Sequence, residues 1–74
     1  MNSRPLNTAR EGEKFCLNRI GGNRDLRARL ASLGLIPGTE LIVIRRNLSG
    51  SFIVSVGDGR LALGQEMARC LWVS

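Results

Sequence analysis

The chain is poor in the residues that most often carry catalysis. Its 74 residues include no histidine, no tyrosine, one tryptophan, two phenylalanines and two cysteines. Histidine is the commonest general base and the commonest metal ligand, and two cysteines cannot form the disulfide framework of a small secreted domain. No apolar run approaches the roughly 18 residues that cross a bilayer. We therefore predict a small binding or regulatory protein that is not an enzyme and does not itself span a membrane.

Lysine is also nearly missing, because ten of the eleven basic residues are arginine. With six acidic residues, the net charge is +5. Such a surface suits nucleic acid, an anionic membrane or an acidic protein partner. Only Arg45 and Arg46 are adjacent, which favours a generally basic surface over a dedicated arm.

The N-terminal segment lacks the apolar stretch of a secretory signal. We therefore expect a cytoplasmic protein whose cysteines stay reduced. The length and the 43% apolar content predict one domain over residues 1–74. Residues 1–5 are expected to be loosely held, while Leu6 and Ala9 dock on the core.

One segment carries clear helix signals. Asn23 is a favourable N-cap, Gly34 suits the position after the helix, and Pro37 prevents continuation. Apolar residues recur at i, i+4 and i+7 and predict one buried stripe: Leu26, Leu30 and Leu33.

The remaining patterns favour β-structure. Alternation and turn signals predict five strands, at 13–20, 39–46, 52–56, 60–63 and 70–73, with one helical turn at 64–69. The helix lies between strands one and two. Five short strands hide their edges best in a small barrel, so the expected fold is mainly β.

The helix exit and the later segments resemble a known family. Residues 29–39 follow the pattern R-L-x-x-L-G-L-x-P-G-T, and a glycine hairpin at 57–59, an A-L-G segment at 62–64 and a final L-x-V strand come later. Over residues 6–73 the chain resembles ferrous iron transport protein A. The resemblance implies an SH3-like barrel. It also implies a regulatory role in bacterial ferrous iron uptake, with docking on the cytosolic GTP-binding domain of the membrane transporter, at the inner face of the membrane. The same fold forms the C-terminal domain of some iron-dependent repressors, so fold alone does not fix the role.

Candidate partner-binding residues follow from these patterns. At the helix exit, Leu35 is expected to point inward, which leaves Ile36 free to anchor a partner. Ile42 and Ile53 occupy strand positions where polar outward residues are expected. Arginines on one helix flank could meet acidic residues of the transporter, although a solvated face is the favoured explanation. The full set is Arg24, Arg27, Leu33, Ile36, Pro37, Ile42 and Ile53.

Cys16 and Cys70 lie on the first and last predicted strands, which pair antiparallel in SH3-like barrels. The two thiols are therefore expected to approach each other on the outer face. Two thiols make half of a Zn²⁺ or Fe²⁺ site, which a second copy of the chain would complete as a homo-oligomer. The favoured alternative is two packed, inert thiols and no cofactor.

Two other functions remain open at this point. A basic barrel with an outward Trp72 could bind nucleic acid, but three aromatic residues give no stacking platform, so no nucleic-acid partner is expected. We expect the N-terminal segment to cover Trp72. The second alternative is a thiol-based metal sensor. The chain has no phosphate-binding G-x-x-x-x-G-K-[ST] motif and is not expected to bind GTP itself.

Overall fold

A computed structural model describes residues 3–74 of the chain. A short 3-10 helix, Leu6–Thr8, follows the first strand. The other elements are β1 (Arg4–Pro5), β2 (Lys14–Ile20), α1 (Arg24–Ser32), β3 (Glu40–Arg46), β4 (Phe52–Val56), β5 (Gly59–Leu63), α2 (Gln65–Cys70) and β6 (Leu71–Val73). Within this range, neither α-helix is long and apolar enough to cross a membrane.

The strands form one antiparallel sheet in the order β1-β6-β2-β3-β4-β5. The mainly β fold and the position of α1 between β2 and β3 confirm the prediction. The structure has six strands instead of the predicted five, because the sequence pattern did not reveal β1. Among the described residues β1 and β5 are not paired with each other, so the sheet curls without closing.

The N-terminal segment pairs with the last strand of the sheet. Pro5 of β1 pairs with Trp72 of β6, which confirms that this segment lies against the tryptophan. Trp72 is half-buried, and the Arg19 guanidinium lies 4.8 Å from the centre of its ring. Arg4–Pro5 thus form a strand within the segment predicted to be loosely held, and residues 1 and 2 lie outside the described residues.

The ends of α1 are set by local hydrogen bonds. The Asn23 side chain accepts a hydrogen bond of 2.8 Å from the Leu26 amide, as an N-cap does. After Ser32, Gly34 adopts a φ of 93° and turns the chain back. Leu35 is thereby fully buried, whereas Leu33 is 48% exposed. The predicted three-leucine stripe is therefore wrong at Leu33, which lies just past the helix.

The core fills the concave side of the sheet, and α1 and α2 contribute Leu30 and Ala68 to it. Fourteen apolar side chains are buried, and the described residues include no buried charged or polar side chain. The buried set is Leu6, Ala9, Phe15, Leu17, Leu30, Leu35, Leu41, Val43, Phe52, Val54, Leu63, Ala68, Leu71 and Val73. Burial of Leu6 and Ala9 confirms their predicted docking.

Candidate docking site

The exit of α1 presents apolar side chains to solvent. Leu33 and Ile36 are 48% and 50% exposed, on either side of the buried Leu35. Pro37 is exposed beside them. We call Leu33, Ile36 and Pro37 the helix-exit patch. The expectation that Ile36 points outward is confirmed.

The backbone behind this patch is firmly held. The Thr39 amide donates to the Ile36 carbonyl at 3.1 Å and closes a turn in which Gly38 has a φ of 97°. The Gly38 amide donates to the Leu17 carbonyl at 2.7 Å, and the Thr39 hydroxyl donates to the Gly34 carbonyl at 3.2 Å. The patch is therefore fixed in place rather than carried on a free loop.

A second apolar surface lies on the convex side of the sheet. Ile42 and Ile44 of β3 are 38% and 40% exposed, and Ile53 of β4 is half-buried. Ile42 pairs with Ser55, which places Ile53 diagonally beside it. We call Ile42, Ile44 and Ile53 the sheet-face patch. Ile44 was missed in the sequence, although strict alternation from Ile42 already indicates its outward direction.

An open hollow of about 500 Å³ lies beside the sheet-face patch. Ile42 of that patch lines it, together with Gly38 and Thr39, which follow Pro37 in the chain. The Lys14 ammonium and the Glu40 carboxylate, 3.2 Å apart, form an exposed ion pair in its wall. The arrangement suits a protein surface that carries apolar side chains and a hydrogen-bonding rim, as interfaces commonly do.

The predicted arginines do not join this site. Arg24 and Arg27 are exposed in the first turns of α1, and the Arg27 guanidinium donates to the Gly22 carbonyl at 3.1 Å. Arg24 and Arg27 lie near the start of α1, whereas Leu33 lies past its last residue, about 9 Å from Arg27 along the helix axis. The structure brings Leu33, Ile36 and Pro37 together and leaves Arg24 and Arg27 on another surface.

Cys16 lies in β2, whereas Cys70 is the last residue of α2 and not, as predicted, part of the last strand. Cys16 exchanges both backbone hydrogen bonds with Ser74, and the Cys70 carbonyl accepts from the Gly21 amide at 2.7 Å. Cys70 lies four residues before Ser74, the partner of Cys16, which separates the two cysteines by about 13 Å along the strand direction. The expected approach of the thiols is therefore wrong: the strands pair antiparallel as predicted, but their register holds the cysteines apart.

No three cysteine or carboxylate residues among residues 3–74 lie close enough together to hold a metal ion. One exposed apolar residue outside both patches was also missed. Leu48, in the turn between β3 and β4, is fully exposed, although composition predicts a polar turn there.

Comparison with known proteins agrees with this fold. A protein of Methanocaldococcus jannaschii named "Putative Fe(2+) transport protein A" is 35% identical over 69 residues, which are 93% of this chain and 83% of that protein. A crystal structure of an iron uptake regulatory protein (FeoA) matches with a TM-score of 0.88 and 32% identity. It covers 100% of this chain and 97% of the other.

The fold also occurs within longer proteins. A manganese-dependent transcriptional repressor in complex with manganese matches all of this chain with a TM-score of 0.91 and 26% identity, but the match covers only 37% of the repressor. The expected SH3-like fold is confirmed by these neighbours. The protein-family model of the FeoA domain matches residues 4–74, and the chain therefore belongs to the FeoA family.

Proposed function

We propose that the chain is a cytoplasmic regulatory protein of ferrous iron uptake. It docks on the cytosolic GTP-binding domain of the ferrous iron transporter and so works at the inner face of the membrane. The family membership and the iron-transport names of its relatives support this role. The observation that carries the docking is the pair of half-exposed side chains of Leu33 and Ile36 on a rigid turn.

Burial of these side chains in a partner supplies the binding energy. Fully burying an exposed leucine or isoleucine side chain is worth about 1.5–3 kcal/mol, and a few central residues usually dominate an interface. Leu33 and Ile36 are half-exposed, so each retains part of that energy for an interface. Pro37, Ile42 and Ile53 extend the contact. Arg24 and Arg27 serve as a separate basic contact for acidic residues of the same partner, and affect the rate of association more than the lifetime of the complex.

The proposal assigns no cofactor and no enzymatic activity to the chain. A homo-oligomer bridged through Cys16 and Cys70 loses its support, because the two thiols lie far apart. A nucleic-acid role also loses support, since the Arg19 guanidinium already lies over the Trp72 ring.

Titration of the isotope-labelled chain with the transporter's GTP-binding domain tests the proposal. Amide shifts are followed by NMR, with GDP and then with a non-hydrolysable GTP analogue. We expect shifts at the helix-exit patch and around the hollow. The double variant Leu33→Ser/Ile36→Ser should weaken binding by about tenfold or more, because losing two anchors costs more than about 1.4 kcal/mol.

Leu48→Ser is the matched control. It removes a fully exposed leucine outside both patches and should leave binding unchanged. Absence of binding in both nucleotide states, or equal weakening by Leu48→Ser, would contradict the proposal.

A further inference from the structure

The strand β5 forms one edge of the sheet, with only β4 as its neighbour in the described structure. Which of its backbone groups face the open edge follows from the register. On β3, the Val43 amide donates to the Glu13 carbonyl and the Val43 carbonyl accepts from the Gly12 amide, so both groups point away from β4. In an antiparallel sheet these directions alternate from residue to residue.

The same alternation determines the directions of the backbone amides and carbonyls on β5. Val54, which pairs with Val43, must direct its amide and carbonyl toward its β5 partner Leu61. Arg60 and Ala62, on either side of Leu61, then direct theirs to the open edge. Both residues are exposed, and within residues 3–74 no hydrogen bond is formed there by their backbone groups. The edge thus offers two amides and two carbonyls in a regular row.

The side chains along this edge have distinct chemistry on the two faces. Arg60 and Ala62 pair with Ser55 and Ile53, and their side chains lie on the convex face, next to the sheet-face patch. Leu61 points to the other face, where it is half-buried against the core. In natural proteins, proline, β-bulges or several charged side chains usually prevent a sheet edge from pairing with another chain. Here β5 carries one charge, that of Arg60, and no proline.

We infer that the β5 edge binds an extended, acidic segment of another protein by strand addition. An antiparallel segment forms four backbone hydrogen bonds, two with Arg60 and two with Ala62. In its own N-to-C direction, the segment places an aliphatic side chain beside Ala62 and Ile53, then an apolar side chain beside Leu61, then a carboxylate beside Arg60. This inference goes beyond the docking proposed above and uses neither Leu33 nor Ile36.

Charge decides for an acidic partner over a second copy of this chain. Two copies could pair their β5 strands antiparallel, but Arg60 would then face Ala62 of the second copy and find no carboxylate. Each copy also carries a net charge of +5, which opposes association. An acidic segment satisfies both the edge hydrogen bonds and the Arg60 guanidinium, whose charge-assisted bond to a carboxylate is stronger than a neutral one.

The probe is a synthetic peptide with blocked ends and the sequence Ser-Val-Ile-Val-Glu-Ser, added to the labelled full chain. Hydrogen exchange in the free protein should be fast at the Arg60 and Ala62 amides and slow at Leu61. The peptide should slow exchange at Arg60 and Ala62 selectively. A peptide with lysine in place of glutamate should bind about tenfold more weakly, as expected for loss of one charge-assisted hydrogen bond.

Variants of the edge separate its backbone from its side chains. Ala62→Pro removes an outward amide, a change that edge strands tolerate, and should abolish peptide binding. The matched Ala62→Val variant keeps the amide and should bind. Arg60→Glu should reverse the preference and favour the lysine peptide. A peptide N-methylated at the isoleucine and glutamate, which pair with Ala62 and Arg60, tests the same hydrogen bonds without altering the protein.

Several outcomes would overturn the inference: no binding by the acidic peptide, equal binding by the N-methylated peptide, or equal binding by the lysine peptide. Concentration-dependent dimerisation that Ala62→Pro abolishes would assign the edge to a second copy instead. The Leu33→Ser/Ile36→Ser variant should bind the peptide normally, so failure at this edge is distinguishable from failure of the docking proposed above.

Discussion

The amide of Leu35 donates a hydrogen bond of 2.9 Å to the carbonyl of Leu30, the last fully buried residue of α1. With the bond of 3.0 Å from the Gly34 amide to the Ala31 carbonyl, it forms a Schellman ending. This ending buries Leu35 and Leu30 together and leaves Leu33 and Ile36 at the surface. The geometry of one glycine therefore decides which of these side chains are buried in the core and which are exposed at the surface.

Gly34→Ala should destabilise the protein by about 1–2 kcal/mol, because an L-residue is strained at positive φ. The space around Gly34 is adequate, since an added Cβ would lie 3.8 Å from Val56 Cγ1. The cost is thus conformational and not steric. Urea unfolding measures it, with Gly59→Ala as the control at a glycine without positive φ and with room for a methyl group. Equal stability of the two variants would contradict the Schellman assignment.

Asn23→Ala should cost about 1 kcal/mol of stability, because the Leu26 amide loses its partner at the start of α1. Asn23→Ser keeps an N-cap oxygen and should retain most of the stability. Chemical denaturation of both variants gives the comparison. A serine variant as unstable as the alanine variant would indicate that the Asn23 side chain acts through something other than capping.

Leu30→Ala and Leu33→Ala should differ strongly in stability. Leu30 is fully buried and its truncation leaves a cavity, at a cost of about 2–5 kcal/mol. Leu33 is half-exposed, and its truncation should cost less than about 1 kcal/mol. Thermal and urea unfolding test the difference. Similar losses of stability at both positions would indicate that Leu33 belongs to the core, which would contradict the assignment of the helix-exit patch.

Mild oxidation should leave Cys16 and Cys70 without a bond between them. Cys16 in β2 and Cys70 at the end of α2 lie farther apart than a disulfide spans. Alkylation of the unfolded chain after oxidation, followed by intact-mass measurement, should show two labelled thiols per monomer. A monomer with no labelled thiol that regains both on reduction would show that the β2–β6 register is wrong.

Local signals in the sequence were enough to place α1 and most strands. Asn23 at the start of α1 and Gly34 after it act through neighbouring residues, so their effect is visible in the sequence. The placement of Leu33 failed because i, i+4, i+7 spacing assumes that the helix continues. α1 instead ends at Ser32, and the chain turns back before Leu33 can face the core.

Features that depend on strand pairing between residues far apart in the sequence could not be predicted from local signals. The two residues of β1 have no periodicity of their own, and only their pairing with β6 makes them a strand. The separation of Cys16 and Cys70 depends on the register of β2 and β6, which includes a bulge between Leu17 and Arg19. The open β5 edge likewise depends on the strand order of the whole sheet. The exposure of Ile36 at the helix exit could be predicted because capping already separates Leu35 from Ile36.

The pairing of β1 with β6 brings the two ends of the fold side by side, with Arg4 opposite Val73. Because the strands are antiparallel, a turn of a few residues could join them into an ordinary hairpin. New ends opened at the exposed Asp58 would then give a circular permutant with the same neighbours in space. A domain with adjacent ends connects to the rest of a longer chain at one place. It can therefore be appended to or inserted into a longer chain without rearrangement, which fits the presence of a similar fold over 37% of a manganese-dependent repressor.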